Sequence, residues 1–332
     1  MSADTESTLL AAQHAPAGGE EPSVSAPAAG AWVSARPTRF ADVLGRVVRF
    51  PALVHQYRDL IRTSVRRDLA ARFQGTVLAW AWPFLQPLLL FGVYYFIFTE
   101  LLQQRMPDLP AEQKAGMGVY MFCGMVAWSA LGESLVRGTN VIVENGNLIK
   151  KLSFPSELLP LNVVLASQAT MLCGVLVIVL ACLTPVWPAP GPALLWVPVL
   201  VCLQGVFTYG LVLFLSTLQV FLRDTVQVVS MLTTIWMFLT PVFWAPEAMP
   251  KSVLAHSALI EANPTYHLLR AWRGALMGDV FVPPNEVIAG GYAVSVAAIP
   301  GHLLVFALWA LAVYVLGYAF FVFCQRRFAD EV

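Results

Sequence analysis

Few residues of this 332-residue chain have a type and spacing that could perform chemistry. The histidines His55, His256, His267 and His302 stand alone, without the short spacing that zinc ligands share. No glycine-rich loop ends in Lys-Ser or Lys-Thr, so the chain has no P-loop for ATP. No pair of carboxylates lies in a segment that could form a catalytic pocket. The sequence therefore predicts a chain that performs no covalent chemistry and binds no metal or cofactor of its own.

Ionisable residues are missing from five long runs of the chain. Charged residues make up 12% of the sequence, against about 25% in a typical soluble domain. The runs without Asp, Glu, Lys, Arg or His are Thr76–Thr99, Ala115–Gly132, Leu158–Leu222, Thr225–Pro246 and Leu303–Cys324. A transmembrane helix needs about 20 mostly apolar residues, and the third run is long enough for two. This pattern predicts a polytopic membrane protein and excludes a soluble enzyme, a nucleic-acid binder and a secreted disulfide scaffold.

Charged groups within transmembrane helices mark proton and ion pathways. The five runs contain no such group, and Glu133, which precedes Arg137, lies at the end of one of them. Proton-driven transport is therefore not expected, and the energy for any transport should come from another chain.

The runs predict an all-α architecture with six transmembrane helices. Their expected bounds are residues 76–102, 116–136, 159–183, 194–222, 226–244 and 303–324. Residues 1–50 are predicted to be a disordered cytoplasmic tail, which leaves residues 51–332 as the transmembrane domain. Before the last helix, Pro264–Met277 has helical spacing and Val287–Pro300 is apolar but short. Both are expected to form short re-entrant or interfacial segments.

The distribution of basic residues predicts the orientation in the membrane. Fifteen of the 20 Lys and Arg residues precede the first helix, follow the last, or lie in the loops after the second and fourth. Loops rich in Lys and Arg remain in the cytoplasm, so both termini are expected there. The alternative of a seventh transmembrane helix from Val287 onward would place Arg326 and Arg327 outside, against this asymmetry.

The segment Leu53–Gly75 predicts a basic amphipathic helix before the first transmembrane helix. Tyr57 lies on its apolar face, while Arg58, Arg62 and Arg66 recur every fourth residue on another face. Such a helix lies in the cytoplasmic interface, with its arginines near anionic head groups. On these residues alone, a plain topology anchor is the simpler interpretation.

The loop Glu144–Leu161 predicts a second short helix, exposed to the cytosol. Pro155 stops a helix that begins near Asn147, because proline lacks the N–H and restricts Phe154. A short rigid helix of this kind could dock into a groove of a partner protein. On these residues alone, a simple connector is the better interpretation.

Aromatic residues are dense in the first and fifth predicted transmembrane helices. Those of interest are Trp80, Trp82, Phe84, Tyr94, Tyr95, Trp236 and Phe238. Sugar faces stack on aromatic rings, so a path lined by them would suit a glycan, which the composition allows without demonstrating it. Aromatic residues at helix ends also form interfacial belts, and those in mid-helix more often pack helices together.

Five stretches of the chain, in this order, resemble the membrane subunit of type-2 ABC exporters. They are YRDLIRTSVRRDLAARFQGTVLAWAWPFLQPLL from Tyr57, ENGNLIKKLSFPSELLPL from Glu144, RDTVQVVSMLTTIWMFLTPVFW from Arg223, NPTYHLLRAWRGALMG from Asn263 and RRFADEV from Arg326. The resemblance is to the permeases that export O-antigen, capsule or teichoic acid polysaccharides. It extends from about Leu53 to Val332. The stretch Phe281–Gly301 is longer than the usual link to the last helix, and the first fifty residues have no counterpart.

The resemblance implies roles for individual residues. The cytoplasmic interface helix, beside the nucleotide-binding subunit, would include Tyr57, Arg58, Arg62, Arg66 and Arg67. The coupling helix, which transmits ATP-driven motion, would include Asn145, Asn147, Leu148, Lys150, Lys151 and Phe154. A channel at the centre of a homodimer would be lined by Trp80, Trp82, Phe84, Tyr94, Tyr95, Trp236 and Phe238. The re-entrant helices of an external gate would include Asn263, Pro264, Tyr266, Trp272 and Arg273.

The resemblance also implies partners and a location. The chain would act as a homodimer in the cytoplasmic (inner) membrane, with two copies of a separate ATP-binding subunit that uses ATP and Mg²⁺. Its cargo would be a lipid-linked glycan. The alternatives are a type-2 permease for a drug or small lipid, a membrane-embedded glycan-processing enzyme, and a structural scaffold.

Overall fold

The computed structural model describes residues 40–72, 81–101, 116–151, 155–181, 191–246, 257–281 and 292–331. All of these residues belong to one unit, Arg39–Val332. Among the residues predicted to be functional, Trp80 and Phe154 lie outside the described ranges, as does the side chain of Lys151. The first 39 residues of the predicted tail lie outside them as well.

Two helices precede the first apolar segment: α1 (Phe40–Gln56) and α2 (Arg58–Arg72), separated by a turn at Tyr57. Helix α1 begins inside the segment predicted to be a disordered tail, so residues 40–50 of that segment are helical. The physical reason is packing against the helices that follow. The ring of Phe50 stacks on the ring of Tyr209, with centroids 5.1 Å apart.

Each of the six segments predicted to cross the membrane contains a helix among its described residues. Along the chain, the further helices are α3 (Trp82–Tyr94), α4 (Gly116–Glu144), α5 (Gly146–Lys151), α6 (Leu158–Ala181), α7 (Val197–Phe221), α8 (Thr225–Leu239), α9 (Ser257–Glu261), α10 (Pro264–Met277), α11 (Ile299–Cys324) and α12 (Phe328–Glu331). Helix α3 continues as a π-helix over Tyr95–Leu101, and a 3₁₀ helix over Gly191–Trp196 leads into α7.

Within the described ranges, four helices are long and apolar enough to cross a membrane: Gly118–Glu144, Leu158–Ala181, Gly191–Phe221 and Ile299–Cys324. The first and fifth predicted transmembrane helices correspond to shorter apolar helices, Trp82–Ile97 and Thr225–Leu239. Helix α8 ends before residue 244, its predicted end, because Thr240 precedes Pro241. The residue before a proline avoids the helical conformation, and Thr240 has extended backbone angles.

Helix α4 is central to the packing, since it contacts α6, α7, α8 and α10. Its residues Tyr120, Leu131 and Ile142 are fully buried. Helix α11 packs along α7, and Gly210 and Gly317 meet where the two cross. A Cβ atom built on Gly317 would overlap the carbonyl oxygen of Gly210, so the crossing depends on residues without side chains.

The segment between α8 and α11 contains the expected short helix and one element that was not expected. Helix α10 has the predicted bounds, Pro264–Met277. Strand β1 (Val280–Phe281) then pairs antiparallel with β2 (Tyr292–Val294), which adds one short strand pair to an otherwise helical architecture. Because Tyr292–Val294 forms a strand, the described residues just before α11 do not belong to a seventh transmembrane helix. Helix α11 begins at Ile299, ahead of the predicted residue 303.

Candidate functional site

Helix α5 lies where the resemblance places the coupling helix. The single turn residue Asn145 separates it from the end of α4. The Nδ2 atom of Asn145 donates to the carbonyl oxygen of Val141 at 2.8 Å, which satisfies one of the last carbonyls of α4. Asn147 and Lys150 are exposed, whereas Leu148 is half-buried against the core. Helix α5 therefore presents polar side chains outward and is held by an apolar one.

The C-terminal end of the chain supports α5. Helix α12 contacts α5, and its Phe328 is fully buried. The ring of Phe328 packs edge-on against Phe321 of α11, with centroids 5.2 Å apart. Helix α12 thus connects α5 to the last long helix, so a displacement of α5 would be transmitted through α12 to α11.

Gln325, just after α11, joins three distant parts of the chain. Its Nε2 atom donates to Oγ of Ser156, at the entrance to α6, at 2.9 Å. Its Oε1 atom accepts from Nη1 of Arg46 on α1 at 3.2 Å. The middle of α1 and the entrance to α6 are thus both held beside the residue that follows α11.

Helix α2 carries the arginines predicted for the interface helix. Arg58, Arg62, Arg66 and Arg67 are exposed, while Tyr57 is half-buried and packs against the core. The basic side chains are therefore accessible to an acidic partner surface or to anionic lipid head groups.

The end of α2 carries a cluster of four charged residues that the sequence analysis did not predict. Arg137 contacts Oδ1 of Asp68 at 2.7 Å and Oε1 of Glu133 at 3.2 Å. Arg72 contacts Oδ2 of Asp68 at 3.2 Å and the same oxygen of Glu133, and it donates to Oγ1 of Thr170 at 3.2 Å. Each acid thus lies between two arginines. The four-charge cluster (Asp68, Arg72, Glu133 and Arg137) is neutral overall and ties α2 to α4 and α6.

The cluster perturbs the ionisation of Asp68. Burial alone would raise the pKa of its carboxyl, but the hydrogen bond and charge of Arg137, with the charge of Arg72, hold that pKa below its ordinary value of 3.8. The carboxylate is therefore stabilised in its charged form. The sequence contained one signal for this cluster, since Asp68 and Arg72 are four residues apart on a helix, as are Glu133 and Arg137. What it could not show is that the two pairs meet.

A cleft of about 430 Å³ lies beside the four-charge cluster. Its polar lining is formed by Arg72, Gln86, Ser129, Glu133 and Thr170, and its apolar lining by Pro87, Leu90, Phe122, Met125, Val126, Met171 and Gly174. These residues come from α2, α3, α4 and α6. The cleft therefore offers both charged and apolar surface to a ligand.

The aromatic residues predicted to line a channel differ in exposure. The side chain of Phe84 on α3 is 42% exposed and that of Phe238 on α8 is 61% exposed. Trp82, Tyr94 and Tyr95 are half-buried. Exposed aromatic side chains on α3 and α8 are available to a second chain or to a transported molecule.

Trp236, by contrast, packs within the protomer. Its ring lies edge-on to Trp128 with centroids 5.6 Å apart, and 6.5 Å from that of Phe207. Its Nε1 atom donates to Oδ1 of Asn263 at 3.0 Å. Trp236 therefore joins α8 to α4, α7 and the start of α10, a contact that the channel prediction did not anticipate.

Asn263 organises the start of α10, where the resemblance places an external gate. Its Oδ1 atom accepts from the backbone N–H of Thr265 at 3.1 Å, which caps the helix. Pro264 occupies the first helical position, where a missing N–H costs nothing. The Nδ2 atom of Asn263 donates to Oγ1 of Thr240 at 2.9 Å. Asn263 therefore fixes the start of α10 relative to the end of α8.

Trp272 and Arg273, both predicted to belong to the gate helices, are fully buried. The Nε1 atom of Trp272 donates to Oε1 of Gln204 at 2.8 Å. Arg273 donates from Nε to the carbonyl oxygen of Tyr120 at 3.2 Å and from Nη2 to that of Val242 at 3.0 Å. Both side chains fasten α10 into the bundle.

His267 and His302 stand far apart in the sequence but meet in the structure. The Nδ1 atoms of His267 and His302 are 3.0 Å apart, and Nε2 of His267 lies 2.8 Å from the carbonyl oxygen of Glu261. Because a carbonyl only accepts, Nε2 of His267 donates to it, and in the neutral ring Nδ1 of His267 then accepts from Nδ1 of His302. Tyr266, also predicted for the gate, is buried with its ring edge-on to both. Among the described residues, no third His, Cys, Asp or Glu completes a metal site.

Comparison with known proteins gives a family match and several relatives. The family described as "ABC-2 type transporter" matches residues 59–277, from α2 to the end of α10. The chain is 31% identical to the "O-antigen export system permease protein RfbA" of Myxococcus xanthus over 251 residues, which cover 75% of this chain and 92% of that protein. It is 27% identical to a Klebsiella pneumoniae protein of the same description over 273 residues, which cover 82% of this chain and 94% of that protein.

Proposed function

The chain belongs to the ABC-2 type transporter family, and we propose that it is the membrane-spanning permease subunit of an exporter of lipid-linked polysaccharide. The polysaccharide would be of the O-antigen, capsule or teichoic-acid type. The observation that carries the proposal is the 31% identity to an O-antigen export permease over 92% of that protein's length. Family membership confirms the resemblance drawn from the sequence.

The energy would come from a separate ATP-binding subunit, present in two copies and using ATP and Mg²⁺. Helix α5 would be the coupling helix that contacts it. In support, α5 exposes Asn147 and Lys150, and α12 packs against it. The exposed arginines of α2, including Arg58 and Arg62, would lie beside the same subunit.

Two copies of the chain would form the transport path between them. In support, α3 and α8 both carry large exposed apolar side chains, among them Phe84 and Phe238. A homodimer would cover part of this surface and leave the rest to contact the glycan. The segment around Asn263, Pro264 and Tyr266 would form the external gate of this path, and Trp272 and Arg273 would hold it in position.

The chain would lie in the cytoplasmic membrane with both termini in the cytoplasm. The excess of Lys and Arg in the termini and in the loops after the second and fourth predicted helices supports this orientation. It places α2, α5 and α12 together on the side where ATP is available.

Transport would be driven by a shift between two states of the dimer. A ligand shifts such an equilibrium only if it binds one state better than the other. ATP-dependent closure of the partner subunits would press on α5, and the contacts of α5 with α12 and of Phe328 with Phe321 would pass the displacement to α11. This chain would bind and guide the glycan, while hydrolysis of ATP takes place in the partner.

Co-purification with the ATPase encoded beside this chain tests the proposal. The complex, reconstituted in vesicles, should hydrolyse ATP faster when a lipid-linked glycan is present. Stimulation by a drug or a simple lipid, without any response to the glycan, would instead identify a permease for small molecules. Failure to recover any complex with an ATPase would contradict both.

A further inference from the structure

We propose that the cleft beside the four-charge cluster binds a phospholipid of the cytoplasmic leaflet with a zwitterionic, primary-amine head group. This lipid would be a resident component of the protein, distinct from any transported cargo. The inference comes from three features of the cleft: the two opposite charges in its lining, the change from charged to apolar surface along it, and its size. It extends beyond the proposed function and does not depend on the identity of the cargo.

The charges in the cleft favour a zwitterion. Its lining contains one cation, Arg72, and one anion, Glu133. A guanidinium is a strong donor to phosphate, and a carboxylate accepts hydrogen bonds from a primary ammonium group. An anionic lipid would meet the carboxylate of Glu133 with like charge, and a trimethylammonium head group has no N–H to donate. A phosphoethanolamine head group would place its phosphate beside Arg72 and its ammonium group beside Glu133, in addition to the ion pairs that these residues already make within the four-charge cluster.

The lining changes from charged to apolar along one face of α4. Glu133, Ser129, Met125 and Phe122 follow one another at intervals of three or four residues, which places them on the same side of the helix. From Glu133 to Phe122 the rise is about 16 Å at 1.5 Å per residue. One leaflet contributes about half of a 30 Å hydrocarbon core. With the orientation proposed above, the charged end faces the cytoplasm and the apolar end faces the centre of the bilayer.

The size of the cleft suits part of one lipid molecule. Its volume of about 430 Å³ falls within the roughly 300–1,000 Å³ of typical ligand sites. Gly174 keeps its apolar end open, because a Cβ atom there would lie 3.0 Å from Cγ2 of Val126 and 3.7 Å from Cβ of Pro87. A larger side chain at this position would occupy the space of the acyl chain.

Photo-crosslinking of the full-length chain in phosphatidylcholine vesicles tests the proposal. The vesicles contain a trace of phosphatidylethanolamine with a photoreactive group in its acyl chain, and the labelled peptides are identified by mass spectrometry. We expect labelling of peptides that contain Leu90, Met125 or Met171. Unlabelled phosphatidylethanolamine should reduce this labelling roughly two- to fivefold more than the same fraction of phosphatidylglycerol, as expected for a partly exposed charge pair.

The same substitution at two glycines, one in the cleft and one outside it, distinguishes labelling in the cleft from labelling elsewhere on the surface. Gly174→Leu should abolish labelling in the cleft. Gly92→Leu, on the exposed side of α3 where a Cβ atom meets nothing within 4 Å, should leave it unchanged. Glu133→Gln should remove the preference for phosphatidylethanolamine over phosphatidylglycerol. Equal competition by the two lipids, or cleft labelling no stronger than that of exposed Leu308 on α11, would overturn the proposal even if a variant fails to fold. No ATPase is needed, so the result is independent of the exporter proposal.

Discussion

The guanidinium carbon of Arg273 lies over the ring of Tyr120, 3.5 Å from its centroid. The same arginine donates to the backbone carbonyl of Tyr120 at 3.2 Å, so one residue of α4 receives both contacts. A cation over an aromatic face is stabilised most where water is excluded, and Arg273 is fully buried. Through this pair the short helix α10 is held against the most central helix of the bundle.

Replacing Arg273 with Lys should destabilise the protein. Lysine keeps the charge but lacks the planar fork that reaches the carbonyls of Tyr120 and Val242 together. We expect the melting temperature in detergent to fall by roughly 5 °C, as for the loss of a hydrogen bond to a buried charged group. Fluorescence-detected size-exclusion chromatography after heating measures it. Arg270→Lys is the control, because Arg270 is half-buried and its contact with an aromatic ring is looser. Its guanidinium carbon lies 5.5 Å from the centroid of the Tyr266 ring. Equal melting temperatures for both variants would contradict this account.

Replacing Gly317 with Ala should prevent α11 from packing on α7. The new methyl group would overlap the carbonyl oxygen of Gly210, and neither backbone can move without separating the helices. We expect little folded protein, measured as the monodisperse peak after membrane extraction. Gly301→Ala, in the same helix but with open space around its Cβ position, should be as stable as the parent chain. Normal recovery of Gly317→Ala would show that the helices are farther apart than described.

Reversing the charge of Lys150 should weaken binding of the ATP-binding subunit. Lys150 is exposed on α5, and one charge at the rim of an interface contributes up to about a fivefold change in affinity. Pull-down with the tagged ATPase, scaled to the amount of inserted permease, measures the effect. Arg49→Glu makes the same change at an exposed arginine of α1 and should leave recovery unaltered. If both variants bind equally well, α5 is not the docking helix.

Acidification should weaken the connection between α2 and α4. The pKa of Asp68 is lower in the folded chain than its ordinary 3.8, so its contribution to stability is complete above about pH 4 and is lost as the pH falls toward the lower, folded value. Asp68→Asn should melt roughly 2–4 °C below the parent chain at neutral pH. That difference should shrink as the pH is lowered toward 3. A difference that stays constant would mean that Asp68 stabilises the fold through packing rather than charge.

The apolar runs were sufficient to predict the helices that carry the architecture. Long segments without charge, such as Leu158–Ala181 and Ile299–Cys324, have few stable conformations in a membrane other than a helix. Helix boundaries were less predictable. Helix α8 ends early, before Thr240, because a proline follows that residue. The helix Phe40–Gln56 is stabilised because the ring of Phe50 stacks on the ring of Tyr209.

Residues that act through contacts distant in sequence could not be assigned from the sequence. His267 and His302 are 35 positions apart. His267 alone resembles an ordinary polar residue of a short helix, and His302 one that precedes an apolar run. Trp272 was predicted to belong to the gate helices. In the structure its indole N–H donates a hydrogen bond to Gln204 of α7. Helical spacing indicates which residues share a face of one helix, but not which other helix that face meets.

Trp236 and Phe238 lie two positions apart on α8 and should respond differently to substitution. Trp236→Ala removes a ring packed on Trp128 and a hydrogen bond to Asn263, so the variant should lose roughly 2 kcal/mol of stability. Phe238→Ala removes an exposed ring and should leave the melting temperature unchanged while slowing glycan export. Export is measured as polysaccharide reaching the cell surface, with both variants expressed to equal levels in the membrane. If Phe238→Ala exports normally, the ring does not line the path; if it melts early, the ring packs within the protein instead. Either result would move the transport path away from this face of α8.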